Sequence, residues 1–302
     1  MFKKIRRYAK DPYYAFGYDL IKTHPMWMSD KFYVKVQWWM IMGYELDLHN
    51  PRTFNEKLQW LKLYDRNPLY TELVDKYRVK DWVAAKIGSE YVIPTLKMYK
   101  TPEEIDLNEL PEQFVLKCNH DSGSVIICKN KALFDLTAAK QKLSKCINHN
   151  FYKDAREWAY KNVKPVLFAE KFMYEEGGGN LMDYKFFCFN GMPRVMYMSR
   201  DHAEHCTTDF FDMEFNRLPI RMQAPNSDVP PQKPKQFEEL KRLASILSEG
   251  IPQVRVDFYV VDGKIYFGEM TFYHCAGLAE VKPSEWNSKL GDMICLPQKY
   301  NG

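Results

Sequence analysis

Several things are missing from the 302-residue sequence: a Cys-x-x-Cys pair, an apolar run long enough for a bilayer, any low-complexity stretch and any internal repeat. Its seven cysteines, at 118, 128, 146, 188, 206, 275 and 295, are odd in number and unpaired in spacing. That argues against a disulfide framework and for a reducing compartment. The most apolar run, Trp38-Trp39-Met40-Ile41-Met42 between Lys35 and Glu45, is much too short to span a membrane. Phe2-Lys3-Lys4 starts basic, but no apolar segment of signal-peptide length follows, so the expected location is the cytoplasm, with at most peripheral contact at the inner face of the membrane. A net charge of +4 is too small to argue for nucleic acid and fits an anionic ligand or surface. There is no Gly-Lys-Ser/Thr phosphate loop and no Asp-x-Asp of the kind found in nucleotide-sugar enzymes.

What is present is a globular composition, 46% apolar and 15% aromatic, in a length suited to two or three subdomains. Residues 1–48 read as a basic, aromatic helical arm, either packed on the main body or docked on an anionic membrane or an assembly partner. After His49-Asn50-Pro51, Thr53 and Glu56 form a capping-box pattern ahead of Leu58, Trp60, Leu61 and Leu63. A second helix is expected over 75–83, with Lys76 and Lys80 four apart on one face. From Tyr91 the pattern changes to strands.

Phe114-Val115-Leu116-Lys117 is a strand whose lysine needs an anionic partner if buried. The loop after it, His120-Asp121-Ser122-Gly123-Ser124, offers backbone N–H groups and hydroxyls of the kind that hold phosphate. A helix over about 137–150, a strand ending in Glu170-Lys171-Phe172-Met173, and a flexible tip at 176–180 come next. Asp183-Tyr184-Lys185 begins a strand that turns at Asn190-Gly191, and a helix is expected over 237–247.

The stretch 255–269 (RVDFYVVDGKIYFGE) reads as a hairpin turning at Asp262-Gly263, with Val256, Phe258 and Val260 on one face and Arg255, Asp257 and Tyr259 on the other. A strict two-residue turn would oppose Asp257 to Gly268. A three-residue loop or a single bulge opposes it to Glu269, with Cβ atoms about 4.5–5.5 Å apart, close enough to share a hard cation. That second register, which also stacks Val256 on Met270 and Phe258 on Gly268, is the expected one.

In this order NPRTFNEKLQWLK, DKYRV, FVLKCNHDSGSVI, DYKFFCFNG, RVDFYVV and YFGEMTFY resemble the TupA-like branch of the ATP-grasp enzymes over roughly residues 48–297, a branch associated with bacterial capsule and teichuronopeptide synthesis. The resemblance implies an α+β ATP-grasp fold, two α+β halves sandwiching the nucleotide, to which the residues themselves add the N-terminal helical arm. It divides the chain into 1–48 (arm), 49–90 (helical region), 91–172 (lid with the Gly/Ser loop) and 173–302 (half carrying Mg-ATP). It implies an ATP- and Mg²⁺-dependent ligase joining a carboxylate to an amine through an acylphosphate, on small-molecule or glycan substrates such as a uronic-acid-containing surface polysaccharide.

By the same resemblance Lys76 and Lys117 contact the α/β-phosphates, with Lys80 nearby, and Ser122, Gly123 and Ser124 close over them. Glu170, Lys171 and Met173 flank adenine and ribose, Lys185 and Arg255 steady the γ-phosphate, and Asp257 and Glu269 hold Mg²⁺. Thr271 stands where many members carry a metal-binding Asn, which puts a second ion in doubt. Asp183, His120 and His274 are further candidates, His120 for a phosphate or acid/base contact and His274 for the acceptor. Loops 199–232 and 271–290 are expected to meet substrate. His202, His205 and Cys206 suggest zinc but lack a fourth ligand. The alternatives are a kinase on the same scaffold, releasing ADP without an amine, and a capsule-synthesis glycosyltransferase or non-catalytic scaffold.

Overall fold

A computed structural model describes residues 11–121, 123–174, 181–200 and 206–299. Ser122, the expected tip at 176–180, and both His202 and His205 lie outside the described residues. Two antiparallel sheets organise the chain. The first, in the order β1-β4-β2-β3, is built from β1 (Thr95–Tyr99), β2 (Phe114–Cys118), β3 (Ile126–Cys128) and β4 (Leu167–Lys171). Strand alternation sends Phe114, Leu116, Leu167 and Ala169 into a core with Leu143 of the helix Leu136–Ile147, and leaves Val115, Lys117 and Glu170 on the opposite face.

The larger sheet runs β11-β10-β5-β6-β7-β8, from β5 (Asp183–Phe189), β6 (Met192–Arg200), β7 (Thr207–Phe211), β8 (Arg217–Leu218), β10 (Gln253–Val261) and β11 (Lys264–Thr271). β9 (Arg221–Met222) pairs with β12 (Val281–Lys282) in a small separate ribbon. The helix Phe237–Ser248 covers one face of the large sheet, because Phe237, Leu240, Leu243, Ala244 and Leu247 recur at helical spacing and are fully buried. On the other face Phe187 meets Phe54 of the helix Phe54–Tyr64 edge-on, ring centroids 5.8 Å apart. This is the face of Arg255, Asp257 and Lys185.

The capping box is formed: Glu56 N–H donates to Thr53 Oγ1 (3.3 Å) and Thr53 N–H to Glu56 Oε2 (2.9 Å). Both hairpins turn on the expected dipeptides, with positive φ at Asn190 (51°), Gly191 (79°), Asp262 (48°) and Gly263 (77°), the twist that suits paired strands. The β10–β11 register opposes Asp257 to Glu269 and Val256 to Met270, but Phe258 faces Phe267 rather than Gly268. A two-residue turn and a bulge coexist, and Gly268 is the extra residue. A Cβ there would sit 3.1 Å from both the Asp257 carbonyl and the Tyr259 ring.

Two elements differ from the sequence reading. The helix expected from Asp75 begins at Val79 (Val79–Ile87), because the Asp75 carboxylate accepts the N–H groups of Tyr77 and Arg78 (3.0 Å each) and holds Lys76 in a turn. Thr207–Phe211, expected as loop, pairs along β6 as a strand. In the arm, the helices Pro12–Ile21 and Asp30–Met42 pack around Tyr14, Ile21, Met28, Tyr33 and Met40, while Val34 and Trp38 join the main core.

Candidate functional site

Between the two sheets lies a cavity of about 290 Å³. Ile93, Val115, Ile127, Phe172, Met173 and Phe267 make one part of its wall apolar, and Lys76, Lys80, Lys117, Glu170 and Glu269 make another ionic. On β4, alternation turns Glu170 towards the cavity opposite Val115. Its buried carboxylate accepts from Lys80 Nζ (2.8 Å) and is ion-paired with Lys117. Burial raises its pKa, yet Lys117 and Lys80 overcome this and hold the carboxyl below its usual range. Lys80 also donates to the Ile93 carbonyl and Thr95 Oγ1 (2.9 Å each), and burial lowers its pKa against the pull of Glu170. Glu170 thus has a second task beside the expected adenine–ribose strip: it aligns two lysines. Lys171 and Met173 line the same cavity.

Lys76, in its turn, bonds the Asp121 carbonyl and lies 3.6 Å from Glu269 Oε2, so it ties the Gly/Ser loop to the hairpin. The loop itself is braced from inside. Ser124 Oγ donates to Asp121 Oδ1 (2.5 Å) and accepts from Cys118 N–H (2.7 Å). Those bonds engage the hydroxyl within the loop, unlike the phosphate contact expected of Ser124; Gly123 is exposed. His120 is buried, with Nδ1 3.2 Å from Asn119 Oδ1 and Nε2 3.0 Å from the His149 carbonyl, contacts that fasten the loop.

The charged row of the large sheet follows from register, since Asp257 opposes Lys185 on β5 and Glu269 on β11. Arg255 grips Asp257 with two N–H groups (Nε to Oδ1 and Nη2 to Oδ2, 2.7 Å each), and Nη2 also reaches Glu269 Oε1 at 3.0 Å. Lys185 Nζ lies 2.8 Å from Asp257 Oδ2 and 3.4 Å from Asp183 Oδ1. Burial raises the Asp183 carboxyl's pKa, and Lys185 offsets this only in part. Thr271 Oγ1 donates to Glu269 Oε1 (3.3 Å). Burial works against the Glu269 charge, but Lys76, Arg255, Lys185 and Lys117 hold its carboxyl down at about 2. Burial opposes the charges of Arg255 and Lys185 as well, yet Asp257 raises both pKa values.

His274 is turned to Arg255. It is buried with Nδ1 2.8 Å from Arg255 Nη1, and a guanidinium can only donate, so Nδ1 is the acceptor and Nε2 carries the hydrogen, 3.3 Å from Cys275 Sγ. Burial, then Arg255 and Lys185, push its pKa well below the usual histidine value. It is a neutral support for Arg255.

The donor set suits a hard divalent cation. Asp257 and Glu269 lie opposite one another on the hairpin, and Glu269 borders the cavity, where the two carboxylates would hold Mg²⁺ together with phosphate oxygens and water, the hard oxygen donors that ion prefers. Among the described residues no group of three or more His, Cys, Asp or Glu side chains is placed to hold a metal, and Cys206 is exposed.

A buried polar stripe was missed from sequence. On the helix Phe54–Tyr64, Asn55 Nδ2 donates to the Ala279 carbonyl (2.7 Å), Gln59 Nε2 to those of Ala276 (2.9 Å) and Gly277 (2.8 Å), and Lys62 Nζ to that of Ala276 (2.9 Å). They hold a turn in which Cys275, Ala276 and Gly277 all have positive φ (50°, 56° and 65°), directly after His274. A Cβ on Gly277 would lie 2.6 Å from Gln59 Nε2 and 2.9 Å from Leu58 Cβ. The signal was the spacing of three polar residues, four and three apart, along an apolar helix.

The sequence matches the family "TupA-like ATPgrasp" over residues 56–295. No curated protein matches the chain. Among solved structures, D-alanine–D-alanine ligase from Helicobacter pylori is similar at 14% identity and TM-score 0.45, over 80% of this chain and 69% of that one. The Bacillus anthracis D-alanine–D-alanine ligase gives 17% identity and TM-score 0.42, over 74% and 66%. The N5-carboxyaminoimidazole ribonucleotide synthetase purK gives 12% and 0.44, over 72% and 50%. The chain thus spans about two thirds or less of the length of these proteins. With the family match running from the helix Phe54–Tyr64 through the hairpin to Cys295, the chain belongs to the TupA-like ATP-grasp family, and its α+β architecture is an ATP-grasp fold.

Proposed function

We propose that the protein is an ATP-dependent carboxylate–amine ligase, attaching an amino acid or amino sugar to a uronic-acid-containing surface polysaccharide or its precursor. The observation that carries the ATP part is the two-part cavity, with an apolar wall beside an ionic wall of Lys76, Lys80, Lys117, Glu170 and Glu269, the last opposed on the hairpin to Asp257. In this reading residues 91–172 are the lid, 173–302 the half that carries the chemistry, 49–90 its helical buttress and 1–48 the arm. The uronate preference comes from the family's association with capsule and teichuronopeptide synthesis.

The donor carboxylate attacks the γ-phosphorus and ADP leaves. The amine nitrogen then attacks the acyl carbon, phosphate departs with the acyl–oxygen bonding pair, and the nitrogen gives up a proton. The protein's part is positioning and charge compensation. Lys76, Lys80 and Lys117 take the α/β-phosphates, with Glu170 fixing the last two, while Gly123 and its neighbours close the loop above them. Phe172, Met173 and the Lys171 backbone flank the base. Lys185 and Arg255 neutralise charge building on the transferred phosphoryl group, Arg255 being held by His274. Asp257 and Glu269 would hold Mg²⁺, which when bound screens the phosphate oxygens and draws charge from the leaving group.

The test is ADP release in Mg-ATP while uronates are screened against amino acids and amino sugars, with products weighed by mass spectrometry. The ligase reading expects ADP release that needs both substrates and a product lighter than their sum by one water. ADP formed with the carboxyl or hydroxyl substrate alone, leaving a stable phosphorylated product, would identify a kinase instead.

A further inference from the structure

Met26, Trp27 and Phe32 are 53%, 80% and 51% exposed, although they stand within seven residues of one another at the end of the arm where its two helices join. Their neighbours Pro25 and Met28 are buried. The main body holds this end from within. Buried Arg156 donates Nη2 to the Pro25 carbonyl (2.7 Å), and its guanidinium lies 3.9 Å from the Tyr33 ring centroid. Asp30 takes Arg66 at 3.0 Å and the Tyr152 hydroxyl, with Arg156 Nε 3.6 Å away. Three large apolar side chains are therefore presented outward from a fixed base.

The sequence that carries them is one-sided in charge. Residues 1–35 contain eight Lys or Arg (Lys3, Lys4, Arg6, Arg7, Lys10, Lys22, Lys31 and Lys35) against Asp11, Asp19 and Asp30, whereas the remaining residues contain 35 basic and 36 acidic side chains. Most of the chain's positive excess therefore falls in these first 35 residues, and Lys22 and Lys31 flank the apolar tip. Among the described residues no helix is long and apolar enough to cross a membrane. Exposed Trp with Met and Phe, bordered by lysines, is the composition that settles in the headgroup layer of an anionic bilayer.

We propose that the arm docks the protein on an anionic lipid surface, with Met26, Trp27 and Phe32 entering the interface and the surrounding lysines meeting lipid phosphates. The proposal is independent of the ligase reading, because none of these residues borders the cavity between the sheets. The experiment is co-sedimentation of the full chain with vesicles of phosphatidylglycerol and phosphatidylcholine, and with phosphatidylcholine vesicles alone, beside Trp27→Ser/Met26→Ser and Lys22→Glu/Lys31→Glu. Binding to the anionic vesicles alone is expected, falling with added salt and weakened at least tenfold in each double variant, with melting temperatures within a degree or two of the parent. Equal binding to neutral vesicles, no binding, or binding unaltered by the substitutions would overturn it. A concentration-dependent dimer in light scattering without lipid, abolished by Trp27→Ser/Met26→Ser, would assign the patch to a second copy of the chain and overturn it equally.

Discussion

Arg255 is committed on three sides, to Asp257, Glu269 and His274, and this fixes where its charge can act. A lysine at the position keeps the charge but not the planar fork that reaches all three. Arg255→Lys is predicted to lose about 10²–10³-fold in Mg-ATP turnover, the scale of removing a preorganised charge-stabilising donor, while far-UV circular dichroism stays unchanged. An unchanged rate would remove Arg255 from the chemistry. Asp257→Asn is expected to abolish turnover with the fold retained, since a neutral amide both releases Arg255 and Lys185 and is a poorer ligand for a hard cation.

Glu170 makes a separate prediction about pH. Its folded pKa lies below the ordinary carboxyl value, so its stabilising contribution is full above that value and is lost as pH falls through the folded one. Acid denaturation of the wild type should therefore steepen below about pH 4.5 relative to Glu170→Gln. Superimposable acid limbs would contradict the pairing with Lys80 and Lys117.

Among the elements, the helix Phe54–Tyr64 shows both what a sequence displays and what it conceals. Its start is local chemistry, and Thr53 and Glu56 announce it. Its work is non-local: Gln59 and Lys62 reach the carbonyls of Ala276 and Gly277. No periodicity tells a reader that a polar residue on an apolar face will satisfy a turn more than two hundred positions away. Gln59→Leu leaves buried carbonyls short of a donor, and in urea unfolding it is predicted to cost about 1–3 kcal/mol. Thr53→Ala should cost only about 1 kcal/mol, the usual worth of an N-cap. No loss of stability in Gln59→Leu would mean that the turn at 275–277 does not depend on the stripe.

The hairpins were legible because Asn-Gly and Asp-Gly specify their turns. The bulge at Gly268 was legible only as one of two registers, since its position depends on the close approach of the Tyr259 ring. The strand Thr207–Phe211 was hidden by its polar start, and the turn at Lys76 by an Asp75 side chain that competes with the helix. The contact of His274 was hidden for a similar reason. Its partner Arg255 is nineteen residues away, and nothing near it in sequence says which way the ring points.

At the scale of the whole molecule, the two sheets keep separate cores, one around Phe114 and Leu143 and the other around Phe186 and Leu243, and they meet across the cavity. Cations from the segment preceding the four-stranded sheet, from that sheet and from the large sheet are drawn to one place by Glu170, Asp257 and Glu269. A ligand that carries its own negative charge and spans both sheets would tie the two cores together, so nucleotide binding should be visible as global stabilisation. The most direct measurement is the melting temperature of wild type, Lys117→Ala and Glu269→Gln, each with and without Mg-ATP. At ~100 times the dissociation constant the wild type should gain roughly 2.7 kcal/mol, seen as a clear upward shift that both variants lose. No shift of the wild type with Mg-ATP would contradict the assignment of this cavity to ATP.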